Sequence, residues 1–200
     1  MNQHAGNRLL LSGVVLETPA PSHTSHGEVF CKTLLEVPRL SGVRDVLPVV
    51  MRQGLAQAQR MDAGAWWRVE GELRSYLQPP QYQPRLLVSG YIRTCMPLEA
   101  PCMDNEVTLR GQLYRAPVYR TTPLAREICD IMLAVPRAHG QLDVIPCIAW
   151  GAQARSVCTM QKGEPLGVQG RFQSRRYVKE MPAGSVERTA YEVSIMHILP

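Results

Sequence analysis

Apolar and polar residues alternate along most of this chain. Val107, Leu109, Gly111 and Leu113 take turns with Thr108, Arg110, Gln112 and Tyr114, the two-residue period of a strand with one buried face. Similar stretches fall at about 126–135, 142–149, 165–176 and 188–198, which predicts five strands. Between the third and the fourth, Gly151 to Met160 lacks alternation and predicts a short helix, with Lys162-Gly163 supplying the glycine that commonly ends one.

The same order occurs twice. Asn7-x-Leu9-x-Leu11-x-Gly13 aligns with Asn105-x-Val107-x-Leu109-x-Gly111 at a separation of 98 positions. Pro19, Cys31, Leu35-x-Val37-Pro38-Arg39, Gly42, Asp45, Val46 and Pro48 then meet Pro117, Cys129, Leu133-x-Val135-Pro136-Arg137, Gly140, Asp143, Val144 and Pro146. One inserted residue later, Gly64 meets Gly163 and Val69-x-Gly71 meets Val168-x-Gly170. A duplication follows. Residues 1–95 form the first copy, 96–104 an extended linker carrying Pro97 and Pro101, and 105–200 the second copy. Copy one places its helix from Gly54 to Gly64. Five strands with a helix between the third and fourth is the order of an OB-fold. The predicted fold class is all-β, two tandem five-stranded OB-fold barrels.

Composition agrees and narrows the function. At 45% apolar and 20% charged residues, the 200-residue chain is an ordinary globular sequence with room for two small domains. It contains no apolar run of the roughly 18 residues that a membrane span needs. Met1-Asn2-Gln3-His4 starts neither a basic nor an apolar leader, so the expected compartment is the cytoplasm. The six cysteines include no C-x-x-C pair and read as reduced thiols, mostly in the core. Net charge is +5, and 19 of the 22 basic residues are arginine. Residues 1–104 hold ten basic against nine acidic side chains and 105–200 hold twelve against eight, so the positive field lies mainly in the second copy. Arginine's planar fork suits phosphate and stacks on bases.

The second copy resembles the bacterial single-stranded DNA-binding protein family. The resemblance is carried by Asn105-x-Val107-x-Leu109-x-Gly111, Ile131 to Arg137, Asp143 to Gly151, Lys162-Gly163-x-x-Leu166-x-Val168-x-Gly170-Arg171-Phe172-Gln173-Ser174-Arg175-Arg176-Tyr177, and Tyr191-Glu192-Val193. It covers about 95 residues well and the first copy weakly. It implies sequence-tolerant binding and protection of single-stranded DNA in replication, recombination or repair, by a non-enzymatic protein without cofactor. Family members commonly assemble four OB-folds, so two copies per chain imply a homodimer. Two features depart from the family. The chain stops at His197-Ile198-Leu199-Pro200, so no acidic partner-recruiting tail is expected, and the loop Ala138-His139-Gly140-Gln141 is too short for a long hairpin with a stacking aromatic. Loss of the tail keeps a second reading open: an accessory OB-fold protein of the primosomal, phage or mobile-element type, acting mainly through protein contacts, with replication or recombination proteins as partners. RNA binding also stays open.

A sequence-tolerant binder needs cations for the backbone and aromatic platforms for the bases. By resemblance, Trp150 and Tyr177 are positions that stack on bases; Trp150 also fits a packed cap at the strand-helix junction. The candidate phosphate contacts are Arg110, Arg120, Arg137, Lys162, Arg171, Arg175, Arg176 and Lys179, with Arg115 and Tyr119 beside them and Arg74 and Tyr76 in copy one. In strand four, Trp67, Val69, Gly71 and Leu73 match Leu166, Val168, Gly170 and Phe172 and are expected to point inward. Copy two then shows Gln169, Arg171, Gln173 and Arg175 outward, against Arg68, Glu70, Glu72 and Arg74 in copy one. Glutamates on a strand approaching phosphate repel it, so copy two is expected to hold DNA more strongly. The same strand also suits a subunit interface. Trp66 points away from Trp67, toward an interface or a base. His23-Thr24-Ser25-His26 lacks a third metal ligand and reads as a solvated turn, and no nucleophile elbow, P-loop or H-E-x-x-H is present.

Overall fold

A computed structural model of the chain describes residues 6–81, 85–181 and 184–200, without the side chains of His139, Lys179, Glu180 and Met181. The first copy runs β1 (Asn7–Val15), β2 (Ala20–Ser25), β3 (Glu28–Pro38), β4 (Arg44–Arg52), α1 (Gln53–Gln59), β5 (Trp66–Leu77) and β6 (Leu86–Pro97). The second runs β7 (Asn105–Leu113), β8 (Val118–Thr121), β9 (Glu127–Pro136), β10 (Leu142–Trp150), α2 (Gly151–Val157), β11 (Pro165–Met181) and β12 (Gly184–Leu199). Each copy thus adds a short strand, β2 or β8, to the expected five. These two lie on the edges of the strand order β2-β3-β4-β6-β5-β1-β7-β11-β12-β10-β9-β8 and pair with β3 and β9 respectively.

Each copy closes on itself because its first strand bends. β1 pairs with β5 from Leu9 to Val14 and turns at its end to meet β3, while β7 pairs with β11 and meets β9 in the same way. The bend needs glycine. A Cβ at Gly13 would run into the Glu36 carbonyl, and one at Gly111 into the Ala134 carbonyl. The expected inward set is buried: Trp67, Val69 and Leu73 fill the first barrel, and Leu166, Val168 and Phe172 the second. The helices are shorter than the sequence suggests. Arg60, in the left-handed conformation at φ 50°, closes α1 by donating its backbone N–H to the Ala56 and Gln57 carbonyls. Gly64 and Gly163 instead shape the turns that lead into β5 and β11, where their N–H groups bond the Val15 and Leu113 carbonyls.

The barrels join through β1 and β7, which pair antiparallel from Asn7↔Leu109 to Leu11↔Asn105. Beyond this ladder the matched asparagines act as extra rungs. The Asn7 amide donates to the Leu73 carbonyl at 2.8 Å and accepts the Leu73 N–H at 2.9 Å; Asn105 does the same to Phe172 at the same distances. Two reciprocal clamps complete the seam. Arg39 holds Asp45 at 2.5 Å, and Asp45 accepts the backbone N–H and hydroxyl of Ser174 in the other barrel at 2.8 and 2.9 Å. Arg137 holds Asp143, which accepts the Ser75 N–H at 2.8 Å across the seam, while the Ser75 hydroxyl accepts the Val144 N–H. Both aspartates are sealed from solvent. A buried carboxylate persists only when its charge and lone pairs are matched, and each of these is matched by groups from both copies.

Candidate nucleic-acid interface

Directly opposed residues of an antiparallel pair point to one face of the sheet. On β8, β9 and β10 that rule places Val118 and Arg120, Ile128, Asp130 and Met132, and Pro146 and Trp150 on the outer wall of the second barrel. Several of them line a groove of about 390 Å³, with Arg115 on one side and Arg175, Tyr177 and Tyr191 of the β11–β12 hairpin on the other. Trp150 stands four residues beyond Pro146 on the same face, at the start of α2, and is 36% exposed. It is not the buried cap that its junction position also allowed.

Two of the three arginines of this groove are each held by a carboxylate that also lines it. Arg120 gives Nε and Nη2 to Asp130 at 2.7 and 3.3 Å, and Arg175 gives Nε and Nη2 to the buried Glu192 at 3.1 and 3.2 Å. A guanidinium has five N–H donors, so each keeps donors for a phosphate. The bond to Glu192 and its nearby charge hold the Arg175 proton more tightly than usual. The Arg175 guanidinium also lies 5.7 Å from the centre of the Tyr177 ring. Exposed Arg115 has no ion pair among the described residues. Cations and aromatic faces thus lie along one wall, the combination that an unpaired polynucleotide needs.

The remaining candidates lie elsewhere. Arg74 and Arg137 both bind Asp143, and Arg74 also binds Glu72, so the seam clamp employs the guanidinium groups expected on phosphates. Glu72 is buried against Arg74 and Arg93, so it does not present its charge to a strand. Gln173 is likewise covered and donates to Glu192. The comparison of outward charges on strand four therefore describes the seam and not a binding face. Arg68 pairs with Asp104. Arg171 lines a separate seam cavity with Arg39, Glu106 and His197. Arg110 donates to the carbonyl of Pro200 at 2.7 Å. Arg176 alternates with Arg175 and Tyr177 and approaches Glu187 at 3.9 Å, and Tyr119 donates to Glu127. Lys162 is exposed in the turn before β11, and the Lys179 side chain lies outside the described residues. Trp67 is buried in the core, and Trp66 is half-buried on β5.

The first barrel has the equivalent groove with different chemistry. It measures about 590 Å³ and is lined by Leu34, Pro48, Val50, Leu87 and Val88, with Lys32 and Glu17 as its charges and Tyr76 exposed in its wall. His23, a turn residue by sequence, lies flat on Phe30 at 5.0 Å between ring centres and 8° between planes, and borders the same groove. Sequence reasoning missed His23 and Tyr191 as groove residues. The strand register that brings them there comes from β2, too short and polar to show a period, and from the β11–β12 pairing.

The family model described as the single-strand binding protein family matches residues 104–199. The whole fold is similar to the wild-type single-stranded DNA binding protein from Thermus aquaticus, with a TM-score of 0.78 over 96% of this chain and 91% of that one at 22% identity. Single-stranded DNA-binding protein 1 of Staphylococcus aureus is 42% identical over 82 residues, covering 38% of this chain and 49% of that protein. The chain thus spans about half the length of the first of these curated relatives. Single-stranded DNA-binding protein 3 of Clostridium acetobutylicum is 35% identical over 99 residues, 42% of this chain and 69% of that protein. On that match, together with the family model, the chain belongs to the single-strand binding protein family.

Proposed function

We propose that this protein binds single-stranded DNA without reading its sequence, using residues 1–95 and 105–200 as two modules, and that two chains pair to bring four barrels together. The outer wall of β8, β9 and β10 receives the strand. Arg115, Arg120 and Arg175 hold phosphates, and Trp150 and Tyr177 stack on bases. The observation that carries this reading is that these cations and rings lie on one face of one barrel, the face on which OB-folds take oligonucleotides. Each stacked base contributes about 1–3 kcal/mol, and every base has a π-face, so affinity arises without sequence preference. The chain's own groups do no bond-making; they bind and shield a strand during replication, recombination or repair, in the cytoplasm.

Titration of tryptophan fluorescence with oligo-dT, oligo-rU and duplex at two salt concentrations tests this. The expected result is nanomolar, salt-sensitive quenching by oligo-dT. Affinity for oligo-dT no better than about 10 μM, within the non-specific range, overturns it. Sedimentation of the free protein at the mass of two chains is the expected assembly; a single chain removes the pairing.

A further inference from the structure

The two grooves share a wall. Tyr191 of the second barrel lines both, and the neighbouring β6 residues Leu86 and Leu87 face the second and the first groove respectively. Tyr191 itself is half-buried against Phe172, with ring centres 6.2 Å apart, which fixes its position between the two. The two grooves thus adjoin at Tyr191.

The same place in the fold carries different groups on the two sides. Across the repeat, Arg175 of the second groove corresponds to Tyr76 of the first, Arg120 to Ser22 and Arg115 to Glu17. The first groove has Lys32 where the second has Asp130, and no arginine lines it among the described residues. In their place it offers flat rings: Tyr76, 41% exposed and backed at 6.0 Å by the Arg137 guanidinium that Asp143 holds, and the His23 ring stacked on Phe30. A guanidinium behind a ring keeps it in one orientation and leaves the rest of its surface available for stacking.

We infer that the first groove is the continuation of the track for the same unpaired strand, one that takes bases by stacking while leaving their phosphates in solvent. The strand is held by charge in the second barrel, passes over Tyr191, and is held by rings in the first. This rests on the second groove holding DNA, as proposed above. It carries a consequence that a uniformly cationic track does not. Lengthening the DNA from one groove to two strengthens binding with almost no further salt dependence, because counterions are released only where phosphates are neutralised.

The test uses the full chain and oligo-dT of roughly 6 nucleotides, within the site of one OB-fold, and of roughly 20, longer than the largest site of one. The longer oligomer is expected to bind at least about fivefold more tightly, with a salt slope greater by no more than about 0.7, the share of Lys32 alone. Replacing the bases of its second half by abasic residues abolishes the gain. Tyr76→Ala weakens the long oligomer by about 5- to 150-fold, the range of one lost stack, leaves the short one unchanged, and is rescued by Tyr76→Phe. A long oligomer that gains affinity in proportion to its salt slope and keeps the gain without bases overturns the inference. So does a long oligomer that gains nothing while the short one still binds, which leaves the first groove to another ligand such as an apolar protein segment. If neither length binds, the proposed function itself fails.

Discussion

The two grooves descend from one sequence and have diverged in kind. Both have a wall of three strands, a proline at the same place in the third strand of the fold (Pro48 and Pro146) and a hairpin alongside. The second lines that frame with arginines, and the first with Leu34, Val50 and Leu87 and the rings of Tyr76 and His23. By contrast, the seam between the barrels has kept its matched residues: Asn7 and Asn105, Asp45 and Asp143, Arg39 and Arg137, Ser75 and Ser174. Substitution has been tolerated where the barrel meets solvent and, at the seam, between Glu72 and Arg171 and between Arg74 and Gln173. It has been resisted where a buried carboxylate depends on groups from the other copy.

The largest effect is expected at the seam. Asp143→Ala should cost about 3–5 kcal/mol in urea unfolding, because it leaves Arg137 without its buried carboxylate and Arg74 with Glu72 alone. Asp45→Ala should cost less, since a single guanidinium depends on it; equal or reversed losses would break the view that the second clamp carries more charge. Next comes the end of the second groove. Trp150→Ala should weaken oligo-dT binding by about 1–3 kcal/mol and remove most of the fluorescence quenching, whereas Arg52→Ala, at the corresponding place in the first barrel, should change affinity little. Comparable losses from the two would show that both strand ends touch DNA alike. A smaller effect concerns salt. Removing Arg115, Arg120 and Arg175 together should lower the salt slope of binding by at most about 2, and Lys32→Ala by at most about 0.7.

The smallest effect separates a matched pair of thiols from a third. Burial pushes the Cys129 thiol up to about 11, and burial raises its counterpart Cys31 as well. A raised value leaves little thiolate at pH 8, so both should alkylate slowly in the folded protein. Mass spectrometry after iodoacetamide treatment should find half-buried Cys158 modified before either. Rapid labelling of Cys129 would mean that the second barrel opens more readily than its packing implies.

The long strands were legible because one face of each is buried, which writes a two-residue period into Val107, Leu109 and Leu113 and into their partners in the first copy. Strands β2 and β8 were not, because almost every residue in them is exposed and nothing forces alternation. The end of α1 was misplaced because Arg60 adopts the left-handed conformation usually left to glycine. Trp150, Tyr177, Arg120 and Arg175 were expected from residue type and position, and the strand register and hairpin bring them to one wall of the second barrel. The pairing of Arg74 and Arg137 with Asp143 was not legible, because Asp143 is 69 residues from Arg74 in the chain. A signal was available there. Arg39 and Asp45 recur as Arg137 and Asp143 while the surrounding charges change, and a charged pair retained in both halves of a diverging duplication marks a task common to both.

The joining of β1 to β7 has one more consequence. When two identical subunits meet about a two-fold axis, whatever stands at one place must also stand at its mate. Here the mates belong to one polypeptide, and Glu72 and Arg171 have been free to become opposites. The molecule consequently has a front and a back along the line that connects its barrels. A ligand with distinct 5′ and 3′ ends, laid along that line, can fit well in only one direction.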